Sequence, residues 1–332
     1  MSGPFLAAGS RRNFGWGRDP MNAARLALHA HYGQGRYATV AAHVERFSVF
    51  AAFLCDELGI RDMARNSPQV MLESFARHIA RHLNGDELAK FGLGVMQPSY
   101  AQNLISSAQV ALRALTGDMS LGISPVRYIG RRCHVRQTAP KSLDRKLYES
   151  AKEALEALGL DRQAAIAGLA REFGMRRREA ALADLPRLTR EAADYRMVNI
   201  IDGTKGGRKA PRWVPVTPAG HAALMAAVAA SPTGSRNLVA PDETWRDFKD
   251  GELRRGLLAL KAAGISGFHD FRAGYACERY RQLSGEDAPC VTGKPPTNKE
   301  ADRKARDILA YELGHGRRGV TAAYAGGTRW RS

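Results

Sequence analysis

Four stretches of the sequence concentrate side chains that hold anions or move protons. GMRRREAALADL carries Arg176, Arg177 and Arg178 in a row, and GTKGGRKA carries Lys205. HDFRAGYACERY has His269 and Arg272 three apart, and LGHGRRGVTAAYAGG places Tyr324 nine residues after His315. Neighbours on a helix lie about 100° apart, so the three arginines cannot share a face, and any that turns inward needs an anion. Taken alone, each stretch has an ordinary structural role: a solvated arginine, a turn lysine, a capping histidine, a tyrosine packing the last helix. Taken together, these groups suit phosphodiester transfer. A phenol oxygen can conserve the bond energy as a covalent phosphoester. Its unperturbed pKa of about 10 then demands a proton acceptor and cationic surroundings. Guanidinium forks would clamp the non-bridging oxygens, and a protonated amine would supply the proton that a departing alkoxide oxygen needs.

The elements that must position these groups are mostly helical. A chain of 332 residues allows two domains, at about 150 residues each. Its 44% apolar content is ordinary for a globular protein, so fold class rests on pattern. Val40, Val44, Phe47, Phe50 and Leu54 recur at helical spacing. Ser67 and Pro68 open a second helix with Leu72, Phe75, Ile79 and Leu83 inward and Gly85 past its end. Residues 35–123 therefore read as a helical domain, preceded by a basic, flexible Gly- and Arg-rich arm at 1–34. The segment 124–141 has little amphipathic order and reads as a basic linker. Its Arg127, Arg131, Arg132 and Arg136 suit a phosphate backbone. From 142 the chain is helical again, with Asp161 a candidate N-cap and Gly174 a stop. The strand-like runs YRMVNIID and PRWVPVT flank the basic, glycine-rich tip with Lys205, Arg208 and Lys209. Thr217 and Pro218 then start another helix.

Charge narrows the partners. Fifty Lys+Arg against 33 Asp+Glu leave +17, which suits a polyanion. No apolar run approaches the roughly 20 residues of a transmembrane helix, and the N-terminus lacks the order of a signal peptide, so no membrane partner is expected. Cys55, Cys133, Cys277 and Cys290 are widely spread without a C-x-x-C pair, which supports neither a zinc site nor a disulfide framework. Free thiols in the cytoplasm are the expectation. P-loop and Rossmann glycine patterns are absent.

In order, an arginine in Gly-apolar-Arg-x-x-Glu, a hairpin lysine, His-x-x-Arg, Leu-Gly-His and a tyrosine resemble the tyrosine recombinases, the phage-integrase family of site-specific DNA recombinases. The resemblance covers about 142–332. It implies a mainly α protein: a helical, SAM-like core-binding domain, then an α-rich catalytic domain with a small antiparallel sheet, the fold shared with type IB topoisomerases. It implies that Arg176 and Arg272 clamp the phosphate, with Glu179 in support and His315 a further donor. His269 would be the general base, Lys205 the general acid and Tyr324 the nucleophile. The product would be a 3′-phosphotyrosyl DNA and a free 5′-hydroxyl, with no cofactor. Arg208 and Lys209 at the tip, and Arg317 and Arg318 beside the tyrosine, would contact DNA. Implied partners are double-stranded attachment sites of a bacterial mobile element, a homotetramer on DNA and an accessory DNA-bending protein near the nucleoid. Alternatives are a non-catalytic DNA-binding protein on the same fold and a type IB topoisomerase-like enzyme.

Two departures stand out. The 43 residues from Arg272 to His315 exceed the family's usual interval, and the polar segment 284–304 reads as an insertion bearing on DNA contacts or regulation. The sequence after Tyr324 is short, with Trp330 its one large apolar side chain, which leaves the coupling of subunits open.

Overall fold

The computed structural model describes residues 12–83, 96–207 and 210–327. It forms two compact units, Met1–Cys133 and His134–Ser332, and the boundary falls inside the basic segment 124–141.

The first unit is helical: α1 (Pro20–Tyr32), α2 (Tyr37–Asp56), α3 (Pro68–His82), α4 (Pro98–Thr116) and α5 (Pro125–Ile129). Local chemistry sets the starts. The Asp19 and Ser67 side chains accept from the backbone amides of Asn22 and Val70, and a proline follows each cap. Phe47, Phe50, Leu72, Phe75, Leu104, Ile105 and Leu112 are buried in one core. Each such side chain contributes about 1.5–3 kcal/mol.

Three expectations are corrected here. The presumed arm is ordered from Arg12: α1 buries Ala23, Ala24, Ala27 and Leu28, and Asn13 is tied to Asp62 and Met63. An alanine face packs closely yet gives little apolar periodicity, which is why the pattern read as an arm. On length and composition α2 could cross a membrane, contrary to the reading that no run comes close. Its Val40, Phe47, Phe50 and Leu54 are instead buried against the other helices of the unit. The basic segment is partly regular, since α5 and a 3-10 turn at Lys141–Leu143 lie within or against it. The predicted Gly85 stop lies outside the described residues.

The second unit contains α6 (Arg145–Ala157), α7 (Asp161–Phe173), α8 (Arg177–Ala181), α9 (Leu185–Tyr195), β1 (Met197–Asn199), β2 (Trp213–Pro215), α10 (Pro218–Ala229), α11 (Trp245–Asp250), α12 (Glu252–Ala262), α13 (Phe268–Ser284), α14 (Pro289–Thr292), α15 (Lys299–Glu312) and α16 (Ala322–Ala325). The protein is thus mainly helical with a small antiparallel sheet, in which Met197, Val198 and Asn199 face Pro215, Val214 and Trp213. Helix α7 is buried on every side from Gln163 to Phe173, and α13 is buried from Asp270 to Cys277. Both are core helices carrying charged residues inward, which makes each such charge informative.

Details depart from the sequence reading. Leu160 caps α7, and Asp161 is its first helical residue, where a carboxylate still favours the helix dipole. The last helix expected to carry Tyr324 is a single turn, α16, separated from His315 by a 3-10 turn at Arg318–Thr321, while α15 ends at Glu312. The segment 284–304 is not purely polar loop, because Ala288 and, in α14, Pro289 and Cys290 are buried.

Candidate active site

The geometry begins with Arg272, fully buried on α13. Its Nε donates to the Tyr324 hydroxyl at 3.2 Å. One terminal nitrogen donates to the Gly174 carbonyl; the other donates to the Leu313 carbonyl at 2.6 Å and to His315 Nε2 at 3.2 Å. The carboxylate paired with it, Glu179, stands off at 3.6 Å. A guanidinium wrapped by neutral groups is costly to keep charged, and burial lowers the pKa of Arg272 to about 10.

Because a guanidinium only donates, His315 Nε2 must accept, which places the imidazole proton on Nδ1. Desolvation, then the charges of Arg272, Arg176 and Arg212, lower His315 to about 4. At neutral pH it is a neutral ring with Nδ1–H left for another acceptor. His269, at the first turn of α13, has its ring 5.2 Å from that of Tyr324. Desolvation and the guanidiniums of Arg272, Arg136 and Arg176 lower its pKa, although the residue is exposed and water screens part of that effect. A neutral imidazole beside a phenol can act as a proton acceptor.

Arg176 sits at the N-terminus of α8. Its backbone amide and guanidinium both donate to Glu179, at 2.7 and 2.6 Å. Glu179 is fully buried and also receives two hydrogen bonds from Arg212, at 3.3 and 2.9 Å. Burial pushes this carboxyl up, but Arg212, Arg272 and the Arg176 amide overcome it and hold Glu179 at about 2. Arg212 is the residue that sequence reasoning missed. A signal existed: it lies two positions before buried Val214 and so on the inward face of that strand run, where an arginine needs a carboxylate. It also explains Gly314, whose φ is +64° and where a Cβ would come within 2.4 Å of the Arg212 guanidinium.

A cleft of about 510 Å³ opens between these groups, lined among others by Arg176, Lys205, Arg212, His315 and Tyr324. Lys205 is exposed at its rim on a short 3-10 turn. Of the predicted residues, Arg176, Lys205, His315 and Tyr324 line this opening; Arg272 and His269 do not line it but lie against Tyr324. With Arg176, Arg212 and Arg272 against Glu179, the opening has an excess of positive charge suited to an anion.

The Tyr324 segment is held from behind. Buried Arg306 donates to the Gly326 carbonyl at 2.9 Å and to Thr321 Oγ1 at 3.3 Å. Arg136 was expected on DNA, yet its guanidinium donates to Asp270 at 2.9 Å and its backbone amide to the Ala322 carbonyl at 2.9 Å. Arg318 pairs with Asp307 at 2.6 Å, whereas Arg317 is exposed. In the first unit Arg127, Arg131 and Arg132 are exposed. Arg208 and Lys209 lie outside the described residues.

Residues 130–278 match the family model described as Integrase. Over that segment, just under half of its length, the chain is similar to the integrase family. The matched span contains Arg176, Lys205, His269 and Arg272 and ends before His315 and Tyr324. No curated protein matches the sequence significantly. Among solved structures, the crystal structure of XerA recombinase is similar over 94% of this chain and 94% of that chain, at 16% identity and a TM-score of 0.38. At that score and identity the likeness decides nothing about the site.

Proposed function

We propose that the protein is a site-specific DNA recombinase in which Tyr324 attacks the scissile phosphate and forms a 3′-phosphotyrosyl intermediate. One observation carries this reading: Arg272 is buried, lacks a carboxylate at hydrogen-bond distance among the described residues, and touches both the Tyr324 hydroxyl and His315. A phosphate in the cleft would supply the missing anion. As the phosphorane develops, Arg176 and Arg272 would take its extra charge, and His315 Nδ1–H would add a neutral donor. The Arg272 Nε hydrogen bond would stabilise the phenolate while His269 accepts its proton. Lys205, at the rim, would protonate the departing 5′-oxygen. Attack by the 5′-hydroxyl of a partner strand would reverse the step and complete exchange.

Strand exchange of this kind needs two duplexes and a subunit at each cleavage point, hence a homotetramer on DNA; the family resemblance adds, as part of this proposal, an accessory bending protein at attachment sites of a bacterial mobile element in the cytoplasm. The test uses nicked duplexes tiled across the DNA bordering the gene, from which the cleaved 5′ fragment diffuses away. Wild-type protein should accumulate a covalent adduct, and Tyr324→Phe should form none. An adduct with Tyr324→Phe, or none with wild type across the tiling, overturns the reading. Plasmid relaxation without crossover products would overturn strand exchange.

A further inference from the structure

Cysteines that are far apart in sequence meet behind the tyrosine. Cys277 on α13 and Cys290 on α14 are both buried, and their sulfurs lie 3.5 Å apart. Both also reach the backbone carbonyl of Tyr324, at 3.5 and 3.4 Å. Helix α16 is one turn long, so its last carbonyls have no partner within the helix. The thiols are the donors this buried carbonyl meets among the described residues. The backbones are close as well: at Gly326, φ +87°, a Cβ would fall 2.5 Å from the Cys290 amide nitrogen. The segment 284–304, which the catalytic reading leaves without a task, thus places a sulfur against the residue proposed to attack DNA.

We propose that Cys277 and Cys290 are a reversible disulfide site whose oxidation disables the Tyr324 segment. The role given to Tyr324 rests on the function proposed above; the disulfide itself does not. A peroxide is the co-reactant. The Cys290 thiolate attacks one peroxide oxygen, breaking the O–O bond to give a sulfenic acid and hydroxide. The Cys277 sulfur then displaces the sulfenic oxygen as water, its proton leaving with that oxygen, and the S–S bond forms. Two thiols lose two electrons and two protons, and hydrogen peroxide becomes two waters.

Cys290 is the first attacker: the hydrogen bond from Cys277 lowers its pKa, burial opposes this, and Arg136 and Arg306 add to the lowering. The same pairing pushes Cys277 up. Access is through α14, a four-residue helix whose Val291 and Thr292 are exposed, as are residues 293–295 after it, the kind of element that opens locally at small cost. Closing the bond draws the sulfurs from 3.5 Å to about 2.05 Å and removes both S–H donors. The Tyr324 carbonyl is then buried without a donor, and its segment gains by leaving the site.

The test uses the full chain with the exposed cysteines removed, Cys55→Ser and Cys133→Ser. After peroxide, unreduced peptide mapping should show Cys277 joined to Cys290, and hydrogen exchange across 319–327 should quicken. Adduct formation on nicked DNA should fall about tenfold or more, the loss expected when a buried acceptor loses its donors, and dithiothreitol should restore it. Adding Cys290→Ala, or Cys277→Ala if that variant fails to fold, should abolish the peroxide response. Absence of the link, a linked form with unchanged exchange, or a peroxide response surviving in the alanine variant overturns the proposal. Exchange and mapping read out even if no DNA adduct forms, so failure of the recombinase reading remains distinguishable.

Discussion

Among the described residues of the second unit, Arg171 and Arg272 are completely enclosed, and they are enclosed differently. Arg171 on α7 donates to the Ser142 carbonyl at 2.9 Å and to Glu278, while Arg145 bridges Glu278 and Glu172. Arg145 and Arg171 are balanced by Glu172 and Glu278, so that cluster is neutral. Arg272 on α13 has carbonyls, a phenol and an imidazole for partners, with Glu179 shared among three arginines. The first cluster is finished inside the fold. The second has no carboxylate at hydrogen-bond distance from Arg272 among the described residues; in the function proposed above, an arriving phosphate would complete it.

The comparison breaks first on activity. Arg272→Lys keeps the charge but loses the planar fork, and adduct formation should fall about a hundred- to a thousandfold. Arg171→Lys should stay near the wild-type rate, because nothing in its cluster reaches the cleft. Single-turnover trapping on nicked DNA measures both, and equal losses would erase the distinction.

Stability should show the reverse. Arg171→Met leaves Glu172 and Glu278 with Arg145 alone, and removing one partner of such a cluster costs about 3–5 kcal/mol. Urea unfolding checks this. A cost below about 1 kcal/mol would mean that the cluster contributes as little as an exposed ion pair.

Acid should sharpen the contrast most gently. His315 has a folded pKa of about 4 against an ordinary 6.5, so the unfolded chain takes up that proton first as pH falls. Its contribution is complete above pH 6.5 and declines down to about 4. Glu278 is held below its ordinary 4.5, with burial opposing and Arg145 and Arg171 prevailing, so its contribution is lost only as pH drops below 4.5. Unfolding free energies between pH 7 and 5 should therefore decline in wild type with a component that His315→Gln removes. An unchanged slope would mean that the imidazole is not shielded as described.

What the sequence discloses follows the range of the physics. Ser67 and Thr217 are legible as caps because a cap bonds an amide three residues away. The tyrosine and its cationic neighbours are legible as types and order; the fold brings Arg176, Lys205, His315 and Tyr324 to one cleft and sets Arg272 against the tyrosine hydroxyl. Arg212 escaped because its meaning depends on which strand face it occupies and on Glu179, 33 residues away. α1 escaped because an alanine face packs closely without leaving an apolar pattern. Cys277 and Cys290 read as isolated thiols since only tertiary packing turns 13 residues of separation into 3.5 Å.

The central claim is that the cation-rich cleft exists to bring a phosphate to Tyr324, and peptide mapping of the DNA adduct tests it most directly. After nuclease and trypsin digestion, the account predicts a 3′-nucleotide on the peptide beginning at Gly319, with the added mass on Tyr324. A nucleotide on another residue, such as Tyr311 at the same cleft, would contradict it.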